Sequence, residues 1–259
     1  MTEELVVSIS NAVATVTINR PEKRNAISTA LWTGFCETMP RLEADEAVKV
    51  IIITGAGGVA FSAGADMSEF EQVYRTPETT RTYSDLVRRA QRQITDTAKP
   101  VIAMIDGLCV GGGCGIALAC DLRFASAPSR FAITPARIGA AYSFGDTKQL
   151  VDLVGPARAK DILFSGALLD AETAFAYGLV DRVIGAENLR ATVDNYAETL
   201  CSVSQTSIRV AKTMINAIND GADVETESLG RLFEQTFAGA DFREGYEAFL
   251  TKRKPNFKS

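Results

Sequence analysis

Twice in this chain a continuous apolar strand runs into a loop of very small residues that opens a helical pattern. The first case is Val48 to Thr54, closed by Gly55 and followed by Phe61-Ser62-Ala63-Gly64-Ala65-Asp66. The second is Pro100 to Ile105, followed by Val110-Gly111-Gly112-Gly113-Cys114. An apolar run without polar alternation reads as a buried strand, and a strand that passes into a helix through glycine is an α/β device. The remaining pattern agrees. Leu5 to Ile9 and Val13 to Ile18 form an expected hairpin about Asn11-Ala12. Ser28 should cap a helix to about Glu43, which Pro40 should kink or shorten. A polar helix is expected over Arg81 to Thr97 and strands over Asp121 to Ala125 and Leu179 to Ile184, with short helices at 145–153, 156–164 and 170–177. Beyond about Ala186 the pattern is helical. The expectation is an α/β core over residues 1–190 and a helical C-terminal region over 191–259.

Composition narrows the chemistry. The chain of 259 residues contains no histidine, so Ser-His and Cys-His nucleophiles and His-ligated metals are excluded. A net charge of −5 offers no nucleic-acid footprint. Cys36, Cys109, Cys114, Cys120 and Cys201 form no C-x-x-C pair and read as reduced, buried thiols. MTEELVVSIS has no cationic leader followed by an apolar core, and no apolar run approaches the ~20 residues of a membrane helix, so a cytoplasmic protein is expected.

Each small-residue loop would present unpaired backbone N–H groups at the positive end of a helix. One such junction can hold an anion, and two aimed at one point can hold an oxyanion from both sides. Other glycine motifs fail in detail. Gly107 and Gly112 have P-loop spacing, but Gly113 stands where the lysine belongs. Gly111 and Gly113 are followed by Ile116, which excludes the dinucleotide fingerprint. Ala60-Phe61-Ser62-Ala63-Gly64 imitates a nucleophile elbow without a histidine to activate Ser62.

Asn19-Arg20-Pro21 with Asn25-Ala26-Ile27, Ala60 to Asp66, and Asp106-Gly107 with Gly111 to Cys114 together resemble the enoyl-CoA hydratase/isomerase (crotonase) family. The likeness continues through Ala119-Cys120-Asp121, Phe131 to Gly139, Ala176 with Gly178-Leu179-Val180, and Glu244-Gly245, Phe249 and Lys252-Arg253. It implies a ββα spiral with a C-terminal α-helical trimerisation subdomain, trimers that often pair into hexamers, and an acyl-CoA substrate. No metal or separate cofactor is implied, and no nucleic-acid or membrane partner, coenzyme A being part of the substrate. The family's oxyanion donors map to the N–H groups of Ala65 and Gly112. Coenzyme A is expected near Arg24, Ala26, Ala63, Asp66 and Met67, and near Lys252 of the basic tail Lys252 to Lys258. A solvated charge competes with that role for Arg24 and for the tail, and N-capping competes for Asp66.

Family hydratases carry two glutamates. Here their positions hold Gly115 and Pro135, neither of which can move a proton through its side chain. Thr134-Pro135-Ala136-Arg137-Ile138-Gly139-Ala140-Ala141-Tyr142 is similar to a stretch of family decarboxylases, which need only an oxyanion hole and a group to orient the departing carboxylate. The sequence therefore favours a decarboxylase or another lyase or isomerase step, with Tyr142 and Asp146 as catalytic candidates and Ser143 and Ser62 behind them. A pocket-wall role competes for Tyr142, and a helix cap for Asp146. The alternatives are a hydratase with relocated acid/base groups, and an acyl-CoA-binding protein without turnover.

Overall fold

A computed structural model describes residues 4–257; Lys258, the last basic residue of the expected tail, lies outside them. β1 (Leu5–Ser10) and β2 (Val13–Ile18) form the expected antiparallel hairpin, with Ser10 opposite Val13. Asn11 and Ala12 both take positive φ (50° and 63°), the backbone of a tight two-residue turn that matches strand twist.

After the hairpin the chain winds as a spiral. β3 (Val50–Gly55), β5 (Val101–Ile105) and β7 (Leu122–Ser126) extend β2 as parallel neighbours. Each is followed by a short strand in a second sheet: β4 (Ala60–Ser62), β6 (Leu108–Val110) and β8 (Arg130–Ala132), also parallel. Helices close the turns: α1 (Thr29–Ala44) after the hairpin, α2 (Phe70–Val73) and α3 (Pro77–Asp96) after β4, α4 (Gly112–Ala119) after β6, and α5 (Phe144–Ser165) after β8. β9 (Leu169–Asp170), α6 (Ala171–Tyr177) and β10 (Arg182–Ile184) complete it. The sheets run β1-β2-β3-β5-β7-β10 and β4-β6-β8-β9.

The apolar runs are continuous because both faces of the larger sheet are covered. Ile51, Ile53, Val101 and Ala103 pack with Trp32, Phe35 and Phe61 on one side. Val50, Ile52, Ile102 and Met104 face Leu189, Val193 and Ala197 of α7 (Leu189–Cys201) on the other. Residue 190, the boundary expected from sequence, thus falls in the first turn of a helix packed on the sheet. α8 (Gln205–Asn219) is tied to the sheet by Lys212, whose Nζ donates to Asp121 Oδ2 at 2.8 Å and to Lys99 O at 3.0 Å. α9 (Glu227–Ala238) and α10 (Ala240–Leu250) follow.

Some local expectations shift. α1 runs through Pro40 to Ala44, because Pro40 faces solvent while Met39 and Leu42 anchor the last turns in the core. α3 begins before Arg81, at Pro77, where Thr76 and Thr79 cap each other reciprocally. The helices expected at 145–153 and 156–164 are the two halves of α5, broken at Gly155 (φ 78°, ψ 163°). β10 starts only at Arg182, because the Leu179 and Val180 N–H groups turn back to Ala174 O.

Candidate active site

The loop after β4 is laced to residues 24–27. Ala63 N donates to Arg24 O at 2.9 Å, Ile27 N to Gly64 O at 2.7 Å and Asp66 N to Ile27 O at 2.9 Å. This bridge brings Arg24, Ala26, Ala63 and Asp66 into one ribbon, with Ala65 paired to Ile27 across it. Among the described residues the Ala65 N–H meets no acceptor. Gly64 makes the loop possible: its φ is 98°, and Ser62 Oγ accepts its N–H at 3.2 Å.

The loop after β6 turns at Gly111 (φ 51°, ψ −111°), whose N–H donates to Ala132 O at 2.8 Å. Gly112 is the first residue of α4, so its N–H has no intrahelical acceptor. The two loops touch. A Cβ built on Gly112 would lie 3.7 Å from Ala65 N, and one built on Gly64 would lie 3.7 Å from Gly112 N. Both free N–H groups therefore border one small space, whose wall is Ile27 Cδ1 and Trp32 Cζ2. Gly112 opens α4, so its N–H lies at the positive end of that helix.

One turn along α4 stands a polar cluster. A Cβ on Gly115 would collide with Gln91 Nε2 at 2.5 Å and Asp146 Oδ1 at 2.9 Å, and would lie 3.5 Å from the Tyr142 hydroxyl. Gln91 Nε2 donates to Asp146 Oδ1 at 2.6 Å, and Ser143 Oγ donates to Asp146 Oδ2 at 2.6 Å. The half-buried Tyr142 donates its hydroxyl to Gly111 O at 3.3 Å, which ties its loop to the turn that opens α4. Burial raises the Asp146 carboxyl above the ordinary range, opposed by the Ser143 and Gln91 hydrogen bonds. Burial, then the neighbouring Asp146 charge, pushes the Tyr142 phenol well up.

The cap expected of Asp146 belongs to Ser143, whose Oγ accepts the Asp146 N–H at 3.1 Å. Asp146 sits at the third helical position, where its side chain is free to face α4. Asp66 does cap the turn after it: Oδ1 accepts from Ser68 N at 3.1 Å, and Oδ2 pairs with Arg20 at 2.8 Å and Lys23 at 3.1 Å. The Ser68 hydroxyl, with Arg20 and Lys23, holds this carboxyl well below the usual range. Ser62 is fully buried, with its Oγ committed to the loop. Arg24 is exposed at φ 51°, and Met67 is exposed beside the loop. Lys252 lies beyond α10, and its N–H bonds back to Phe249 O.

The enoyl-CoA hydratase/isomerase family model matches residues 8–259. The chain belongs to the enoyl-CoA hydratase/isomerase family. Among similar proteins, a crotonyl-CoA hydratase of Syntrophomonas wolfei is 34% identical over 99% of this chain and 98% of its own length. A short-chain-enoyl-CoA hydratase of Clostridium acetobutylicum is 34% identical over 93% of this chain and 92% of its own length. The structure of a family protein from Hyphomonas neptunium superposes with a TM-score of 0.96 at 38% identity, covering 98% of this chain and 97% of the other. The crotonase fold expected from the sequence is thus the fold observed, and the chain is a crotonase-family acyl-CoA enzyme.

Against the family pattern, Pro135 opens a short 3-10 turn (Pro135–Ile138) and offers no proton-bearing group. Gln91 is the member of this polar cluster that no sequence motif marks. Its signal was a polar residue on the buried face of α3, beside Tyr83, Ala90 and Ile94.

Proposed function

We propose that this family member adds water to a 2-enoyl-CoA thioester, and removes it in reverse, through an enolate held by the Ala65 and Gly112 N–H groups. The closeness of those two amides, neither with an acceptor of its own, carries the reading. A thioester carbonyl oxygen seated there gains charge as the enolate forms, and each donor contributes about 3 kcal/mol to stabilising it. Sequence alone favours decarboxylation, because positions 115 and 135 lack glutamate. Hydration is preferred here because a buried carboxyl, Asp146, occupies the space beside Gly115. The hydratase names of the relatives from S. wolfei and C. acetobutylicum point the same way. Decarboxylation remains the second reading, favoured by the Tyr142 hydroxyl at the oxyanion loop.

Arg24, Ala26, Ala63 and Met67 form the edge on which coenzyme A would lie, with Asp66 fixing the ribbon from behind. The apolar side chains exposed on the C-terminal helices, Phe233, Phe237, Tyr246 and Phe249 among them, suit a homotrimer or a hexamer. In such an assembly Lys252 would approach coenzyme A on a neighbouring subunit. No resident cofactor is needed for this chemistry. Five free thiols fit a cytoplasmic enzyme. Among the described residues no helix is long and apolar enough to cross a membrane.

Turnover of crotonyl-CoA, 3-enoyl-CoA and methylmalonyl-CoA by the purified protein tests the reading. Hydration of crotonyl-CoA as the fastest reaction is expected. Faster release of CO₂ from methylmalonyl-CoA would replace it with the second reading, and binding without turnover would make the chain a carrier.

A further inference from the structure

Gly115 leaves a gap on α4 one turn beyond the Gly112 N–H, and three other parts of the chain fill it. Gln91 comes from α3, Asp146 from α5 and Tyr142 from the loop before α5. Gln91 and Asp146 are 7% and 6% exposed, too deep for a solvated surface pair. Each Asp146 oxygen has its own donor, Gln91 Nε2 on Oδ1 and Ser143 Oγ on Oδ2. A carboxylate has about four lone-pair sites, so these two bonds orient it without exhausting it. Three residues of helix rise about 4.5 Å, which puts the carboxyl roughly one turn from the amide that receives the oxyanion. The second and third carbons of an enoyl thioester lie two and three bonds from that oxygen.

We propose that Asp146 is the proton-transfer residue of this site, with Gln91 and Ser143 as positioning residues that aim its carboxyl past Gly115. The proposal rests on the hydration reading. The Asp146 carboxylate takes a proton from water as the water oxygen bonds to C3. The C2=C3 electron pair moves to C1–C2, and the carbonyl pair moves onto oxygen, between the Ala65 and Gly112 N–H groups. The enolate then collapses, C2 receives the proton from Asp146, and the carbonyl re-forms. Water has been added and the carboxylate regenerated. The groups facing Asp146 are Gln91, Gly115, Tyr142 and Ser143, and none of them carries a charge while the phenol stays protonated. Desolvation strengthens this carboxylate as a base.

The test is exchange of the C2 hydrogens of butyryl-CoA in D₂O, followed by NMR, beside hydration of crotonyl-CoA. Exchange needs an enolate and a base, whichever reaction the enzyme completes. Asp146→Asn keeps both hydrogen bonds, with its carbonyl toward Gln91 and its amide toward Ser143, so the fold should hold. The expected result is a loss of 10²-fold or more in exchange and in kcat, with KM and butyryl-CoA affinity within a few-fold. Gln91→Met should move the acid limb of the kcat profile to higher pH, because it removes a bond that favours the charged carboxylate; a purely structural Gln91 would leave that limb in place. Exchange undiminished in Asp146→Asn overturns the proposal alone. A wild-type protein that binds butyryl-CoA without exchanging it overturns the enolate reading and the proposal together.

Discussion

Replacing Gly113 by alanine should part the loops that carry the Ala65 and Gly112 N–H groups without removing either donor. Gly113 lies against Ser62, and a Cβ there would meet Ser62 Cβ and Ser62 O, each at 2.8 Å. Ordinary contact starts at 3.4 Å, so the loops must separate by about 0.6 Å unless something else yields. Neither partner yields readily. Ser62 ends β4 and is fully buried, its Oγ holds the Gly64 N–H, and a backbone carbonyl cannot rotate away as a long side chain can. Overpacking of this size costs about 1–3 kcal/mol, which for a chain of this length lowers Tm by roughly 2–12 °C. The catalytic effect should be larger than the loss of stability suggests. A separation of half an ångström misaligns one N–H with the developing oxyanion, and losing such a donor costs roughly 10² to 10³ in kcat. Calorimetry and crotonyl-CoA kinetics at a temperature well below Tm measure the two effects separately. A Gly113→Ala protein with lowered Tm but wild-type kcat would show that the spacing of Ala65 and Gly112 does not control the chemistry, and the oxyanion assignment would fall with it.

Gly112→Pro deletes the second donor at the first position of α4, where proline suits a helix, and should lower kcat at least about 10²-fold in steady-state assays. Tyr142→Phe removes a long, neutral hydrogen bond and should lower crotonyl-CoA turnover by less than about tenfold; a hundredfold loss would move proton transfer to the phenol. Asp66→Ala leaves the buried Arg20 with Glu4 as its only carboxylate, and denaturant melts should show a loss of about 3 kcal/mol. The depressed Asp66 carboxyl supplies stability that is present above the ordinary carboxylate range and lost as pH falls through its folded value, so Asp66→Ala should also flatten the acid limb of Tm against pH.

The two strand-to-helix junctions are legible in sequence because each is local. A buried strand, a small-residue turn and a helix start lie within about a dozen positions, and the N–H groups they free follow from helix geometry alone. The spiral was legible only through the ordered motifs of the family, since no periodicity states which short strand joins which sheet. Two local rules gave partial answers. Proline chemistry alone kinks or shortens α1 at Pro40, but the buried Met39 and Leu42 decide where it ends. A cap competes with catalysis for Asp146 in sequence because it precedes an apolar helix, but Ser143 already supplies that oxygen.

On the hydration reading, that exchange of roles accounts for the lack of a proton-bearing side chain at position 115. Gly115 counts as a loss only if the proton-bearing group must grow from α4. In the folded chain Gln91 lies 24 residues before Gly115 and Asp146 lies 31 after it, and both reach the space that a side chain at 115 would need. Any residue larger than glycine would displace them, so glycine at 115 and the buried pair form one unit. Asp146 is costly for the fold, because burying a carboxyl makes stability fall as pH rises from the unfolded carboxylate value towards its raised folded value. Asparagine, which keeps both hydrogen bonds without a charge, should therefore raise Tm at neutral pH while it lowers turnover. A residue that weakens the fold where a neutral isostere would strengthen it is the signature of a group retained for chemistry. If Asp146→Asn instead lowered Tm at neutral pH, the carboxylate would be serving the fold, and its place beside Gly115 would need no catalytic explanation.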